Sequence, residues 1–208
     1  MLASMLRVTA LALALLVTAA GGAIGQSQPE SSSSQRVPAP DRHAATGLSF
    51  PQQIAGATRF GSTDFGKTAG KPELGYGWNY RIGDQLIATV YVYDLSIRSI
   101  PDGPSSPVVQ QQFQTSLQEI HQLAKYNRYE DIKTARGPTD CTIGSLVFRC
   151  ITLSAIRSAD RKPVYSALML TGYRDNFLKL RLDWLEGSAI SQSMVDGFTQ
   201  TLVGAMTR

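Results

Sequence analysis

Residues 164 to 185 read VYSALMLTGYRDNFLKLRLDWL, and their pattern decides the fold class. From Phe177 to Leu185, the apolar Leu178, Leu180, Leu182 and Trp184 alternate with Lys179, Arg181 and Asp183. A period of two puts one set on the buried face of a strand and the charged set on the other, so the register is strongly specified. Val164 to Tyr173 is a second strand, with Arg174, Asp175 and Asn176 as the short loop between the two. A loop this short joins antiparallel neighbours, because a parallel return needs a dozen residues or more.

The same reading extends in both directions. Leu146 to Ile156 is long and β-rich, and Arg157 to Pro163 (RSADRKP) is the turn after it. Further back, Leu74, Tyr76, Trp78, Tyr80 and Ile82 point one way while Gly75, Gly77, Asn79 and Arg81 point the other. Gly83 and Asp84 turn the chain into Leu86 to Tyr93 (LIATVYVY), which is apolar on both faces and reads as a central strand. The chain then breaks at IPDGPSSP, residues 100 to 107, where Ser106 suits a helix N-cap and Pro107 the first helical position. Val109, Phe113, Leu117, Ile120 and Ala124 follow as one apolar stripe. After the strands, Gly187 and Ser188 open a last helix with the stripe Ile190, Met194, Phe198, Leu202 and Met206. These elements predict an α+β domain: an antiparallel sheet of about six to eight strands with two main helices packed on one face. The layout resembles that of PsbP-like domains, though no motif carries the likeness.

The first 25 residues have a different character. Met1 to Arg7 is a short, positively charged start, and Val8 to Ala20 is nearly all Ala, Leu and Val. Gly21, Gly22, Ala23, Ile24 and Gly25 then supply small residues. These are the three parts of a secretory signal. The apolar core is too short for the roughly 20 residues of a membrane helix, so residues 1 to 25 read as a signal peptide cleaved near Gln26, leaving no stable membrane span. Residues 26 to 46, QSQPESSSSQRVPAPDRHAAT, hold four consecutive serines and three prolines, with Val37 as the only large aliphatic residue. That composition predicts a disordered leader, with His43 incidental to it and a single domain from 47 to 208.

Composition narrows the chemistry. Of 208 residues, 43% are hydrophobic, enough for a packed core, and 17% are charged. Arg7 aside, 19 basic residues stand against 16 acidic ones and are scattered along the chain, which argues against a nucleic-acid partner. Two cysteines and two histidines are too few for a common zinc site, and no metal or other cofactor is expected. Cys141, in the loop GPTDC, and Cys150, in the strand LVFRCI, have eight residues between them. In an oxidising compartment that spacing reads as a structural disulfide; it is not the C-x-x-C of a redox pair.

Residues 61 to 68, GSTDFGKT, fit the letters of a phosphate-binding loop, G-x-x-x-x-G-K-[ST]. The physics of such a loop requires a helix after it, so that backbone N–H groups face the phosphates. Gly70, Pro72, Gly75 and Gly77 forbid a helix of useful length, so no nucleotide is expected there. No catalytic residues emerge either. His121, on the helix, has no nucleophile motif to serve, and Asp94, Asp102, Asp140, Asp160, Asp175 and Asp183 fall mostly at turns or strand ends. The one concentration with binding character is aromatic: Tyr76, Trp78, Tyr80, Tyr91 and Tyr93 on two adjoining strands. Under a helix they form core; on an open face they could stack on a sugar or grip a peptide.

The stretch from LGYGWNY (74 to 80) through ATVYVYDL (88 to 95) to IPDGPSSPVVQQQF (100 to 113) resembles a pattern in small exported proteobacterial proteins without an assigned function. The resemblance spans about forty residues. It implies a bacterial, exported setting and transfers no catalytic residue. The sequence therefore leads to a periplasmic or secreted, non-enzymatic binding or interaction domain whose partner is an envelope protein or polymer. The competing expectation is a small hydrolase or ligand-binding protein with an aromatic-lined cleft.

Overall fold

The computed structural model describes residues 37–122, 126 and 128–208. The stretch read from the sequence as a signal peptide, most of the expected leader and Ala124 of the first helical stripe lie outside the described residues.

Eight strands form one antiparallel sheet in the order β1-β2-β3-β4-β8-β7-β6-β5. The first four are β1 (Gln53–Ile54), β2 (Ala57–Asp64), β3 (Tyr76–Ile82) and β4 (Leu86–Tyr93). The second four are β5 (Tyr129–Ile143), β6 (Leu146–Arg157), β7 (Lys162–Tyr173) and β8 (Asn176–Leu185). Each set is a meander of successive antiparallel strands, and the two sets join where β4 pairs β8, from Leu86↔Trp184 to Tyr93↔Phe177. The strand apolar on both faces, β4, is therefore central, as its composition requires. A short helix, α1 (Phe65–Ala69), follows β2; α2 (Pro107–Gln122) follows β4; α3 (Gln192–Met206) follows β8. The class and sheet size are those expected from the sequence.

The helices are placed differently from the expectation of a shared face. Along β4, Leu86, Ala88, Val90 and Val92 belong to the core under α3, whereas Tyr91 and Tyr93 belong to the core under α2. Along β8 the same split separates Leu178, Leu180 and Leu182 from Phe177. Successive side chains of a strand point to opposite faces, so α2 and α3 sandwich the sheet between them. The reason is topological. β4 and β5 run parallel with α2 as their crossover, and a parallel crossover has one favoured hand, which fixes the face of α2. The opposite apolar face then falls to α3 and to the chain before β1.

That preceding chain corrects the expected domain boundary. Residues 37 to 46, read from composition as leader, are packed: Ala39, His43 and Thr46 are buried. Val37 O accepts from Asp64 N at 2.7 Å, Pro40 O accepts from Trp78 Nε1 at 2.9 Å, and Asp41 pairs with Arg59 at 2.6 Å. The segment straps the sheet across β2 and β3, and Phe50 at its end stacks on Trp78 with ring centroids 3.5 Å apart.

Two helix details also shift. Helix α3 begins at Gln192 with Ser191 as its cap, not at Ser188. Its buried stripe runs through Val195, Phe198, Leu202 and Met206, while Met194 is 50% exposed. Ser106 and Pro107 open α2 as the sequence indicates, with Val109 N donating to Ser106 Oγ at 3.4 Å.

Candidate functional site

Two concavities lie on the α3 face, between the outer strands and the helix. The long hairpin β5–β6 forms one wall. It is tied to α3 at its tip, where Gln200 Nε2 donates to Thr142 O at 3.0 Å and Gly144 N donates to Gln200 Oε1. Nearer the start of α3 the wall and the helix part. Two hollows, of about 450 Å³ and 280 Å³, open along this trough and share Arg136, Thr152 and Gln192.

The first hollow has an aromatic floor. Tyr165 on β7 and Trp184 on β8 are register partners, with ring centroids 5.4 Å apart. The Tyr165 hydroxyl donates to Glu186 Oε1 at 2.9 Å, and that carboxylate pushes the phenol above its ordinary range. The second hollow is lined by Met169, Ile143 and the Cys141–Cys150 disulfide. The bridge is present as expected, but Cys141 lies on β5, not in a loop. Cys141 pairs with Phe148 and Cys150 with Thr139, so the cysteines sit diagonally across the hairpin with Cα atoms 6.1 Å apart.

Most polar groups around the trough already have partners. Ser188 Oγ donates to Leu185 O at 2.8 Å, Ser191 Oγ caps α3, and Asp196 Oδ1 accepts from Gln192 Nε2 at 2.9 Å. Neither described histidine lines a hollow: His43 is in the strap, and His121 is exposed on α2. Among the described residues no hydroxyl–imidazole pair of the kind used for acyl transfer lines the trough.

The five aromatic residues singled out from the sequence do not form one cleft. Trp78 and Tyr80 are fully buried under the strap, and Tyr80 OH donates to Pro51 O at 3.0 Å. Burial pushes the Tyr80 phenol up to about 12, with Arg59 opposing and Asp41 adding to the shift. Tyr76 packs at the edge of the same core, its ring 5.3 Å from His43. Tyr91 and Tyr93 lie on the opposite face, where Lys179 Nζ sits 4.8 Å and 5.3 Å from their ring centres. Glu119 of α2 lies 3.8 Å from the same ammonium, so these groups seat the helix on the sheet. Sequence reasoning missed the trough because its residues belong to four separate strands and a helix start. Tyr165 and Trp184 were visible only as members of strand patterns.

At GSTDFGKT a strand does lead into a helix, but α1 is a single turn. Its N-terminus is closed by its own Asp64, whose Oδ1 accepts from Lys67 N at 2.8 Å and whose Oδ2 lies 3.6 Å from Lys67 Nζ. A carboxylate thus occupies the position a phosphate would need. Among the described residues no group of three or more His, Cys, Asp or Glu side chains could hold a metal ion, and no helix is long and apolar enough to cross a membrane. No protein-family model matches the chain, and no curated protein or solved structure matches it either.

Proposed function

We propose that the chain is an exported, periplasmic binding domain of the cell envelope that holds an envelope partner in the trough beside α3 without chemical turnover. The observation that carries this reading is the pair of adjoining hollows with an aromatic floor, bordered by side chains whose polar groups are mostly engaged within the fold. Paired cysteines support an oxidising compartment, and the signal-like opening supports export.

A photo-crosslinking amino acid placed at Gln192, which lines both hollows, tests the binding role in cells. The expected result is a discrete adduct in the periplasmic fraction, absent when the probe sits at the remote turn residue Asp84. The same preparation, sequenced from its amino terminus, is expected to begin near Gln26. A full-length chain retained in the cytosol defeats the localisation. Turnover of ester, peptide or glycoside substrates by the purified chain replaces the binding reading with a hydrolase.

A further inference from the structure

We propose that the hairpin from Asp41 to Phe50 is an acid-released latch over the aromatic strand β3, with the His43 imidazole as its trigger. None of these residues lines either hollow of the trough. Three main-chain bonds of 2.8 Å close the hairpin: His43 N donates to Leu48 O, Gly47 N to His43 O and Phe50 N to Asp41 O. Arg42 also bridges Ser49 across it. The ends of the hairpin hold β3 from three points. Pro40 O, just before it, accepts from Trp78 Nε1 at 2.9 Å; Phe50 stacks on the same indole; and Pro51 O, just after it, accepts from Tyr80 OH at 3.0 Å. Opening the hairpin therefore uncovers Trp78 and Tyr80 without breaking a strand pair of the main sheet.

The trigger is the way His43 closes the turn. Its side chain is buried, and Thr46 N donates to its Nδ1 at 3.3 Å. Thr46 Oγ1 lies 2.8 Å from the same nitrogen and itself accepts from Leu48 N at 3.4 Å. A backbone N–H can only donate, so this turn uses Nδ1 as an acceptor and leaves the imidazole proton on Nε2. An imidazolium carries a proton on both nitrogens and accepts nothing. Protonation therefore sets an N–H against the Thr46 N–H and puts a charge where little water reaches, and opening the turn relieves both.

The groups packed around the turn do not cancel that cost. From β3, Tyr76 presents an uncharged ring 5.3 Å from the imidazole. From the β7–β8 turn, Arg174 Nη1 donates to Thr46 O at 2.7 Å, and Arg174 and Arg42 both approach Gly47, so two cations stand beside the site. Asp41 is paired with Arg59 of β2 at 2.6 Å, and α3 offers only Met206 O, which accepts from Ser49 N. Asp94, just past β4, favours the proton, but its Oδ1 already accepts from Ser96 N at 2.8 Å. Burial outweighs that carboxylate and holds the imidazole below its ordinary value. The proton is therefore taken up preferentially by the open hairpin, which is the sign an acid-opened latch requires.

The test follows the purified, oxidised chain by NMR between about pH 8 and about pH 5, where ordinary carboxylates stay ionised. At the upper end, two-bond proton–nitrogen correlations of His43 should show Nδ1 bare and Nε2 protonated. On acidification, the amides of His43, Gly47 and Phe50 and the indole N–H of Trp78 should exchange faster, after correction for the intrinsic pH dependence of exchange. If only the open hairpin takes the proton, at the ordinary 6.5, opening rises about thirtyfold by about pH 5. Some uptake by the closed hairpin lowers this, and at least about fivefold is expected. Amides of β7 and β8 should not accelerate. His43→Asn, whose Oδ1 can accept from Thr46 N without titrating in this range, should lose the response. A proton on Nδ1 at the upper end, titration of the imidazole without faster exchange in the hairpin, no change down to about pH 5, equal acceleration across the sheet, or an acid response kept in His43→Asn each overturns the inference. If His43→Asn does not fold, the parent's titration and exchange still decide it.

Discussion

Trp78 shows how one side chain couples three parts of the chain. Its ring is fully buried on β3, stacks on Phe50, and gives its N–H to Pro40 O at 2.9 Å. Trp78→Ala should cost about 3–5 kcal/mol in urea unfolding, the range for deleting a large buried aromatic. Trp78→Phe keeps the stack but leaves a carbonyl unpaired, so about 1–3 kcal/mol is expected. A loss below about 0.5 kcal/mol would mean the indole is a ligand surface and not core. His43, a few residues further along the strap, gives a pH-dependent counterpart. Its Nδ1 bonds Thr46 Oγ1 at 2.8 Å, and burial lowers its pKa below 6.5, with Asp94 opposing. The unfolded chain takes up the proton first as pH falls. The stability this histidine contributes is therefore complete above pH 6.5 and declines as pH drops from there through the folded value. The urea midpoint should fall over that window in the parent and lose that part of its slope in His43→Gln. Identical pH slopes would place the histidine outside the folding balance.

Among the elements, legibility tracked periodicity. β3, β4, β7 and β8 were readable because each buries at least one whole face, and a buried face imposes a period of two. The segment Tyr129–Ile143 was not readable. It is the outer strand of the sheet and is mostly exposed, so solvent sets no period, and its register shifts erase what remains. Those irregularities, with Pro138, Lys133 and Arg136, also blunt an edge that would otherwise pair with other chains. The expected α3 stripe holds at Ile190, Phe198, Leu202 and Met206 and fails at Met194, because Met194 and Val195 are both apolar and only packing distinguishes them. The β5–β6 hairpin is held by its cross-strand disulfide, which restricts the unfolded chain by closing a short loop. Replacing both Cys141 and Cys150 with Ser should lower stability by about 2–3 kcal/mol. Amide exchange should accelerate over Tyr129–Ile143 and leave β3 and β4 slow. A uniform acceleration across the sheet would mean that the bridge supports the whole core and not one hairpin.

For the molecule as a whole, the decisive difference from the composition reading is where folding begins. Side-chain hydropathy gave residues 37 to 46 no reason to be ordered, with Val37 alone among polar and small residues. Their order comes from main-chain carbonyls, which every sequence carries and no composition displays. Val37 O and Pro40 O accept from Asp64 N and Trp78 Nε1, while Phe50 N donates to Asp41 O at 2.8 Å. These bonds close the α3 face over β2 and β3, so the strap is a layer of the fold and not a tether to it. A chain starting at Gly47 loses these three bonds, worth about 1 kcal/mol each, and leaves Trp78 partly uncovered. For a domain of this size about 3 kcal/mol corresponds to a melting point about 6–12 °C lower. A chain starting at Gln35 should melt with the mature protein. Equal melting of the two truncations would return residues 37 to 46 to the leader and reduce the folded unit to the sheet and its helices alone.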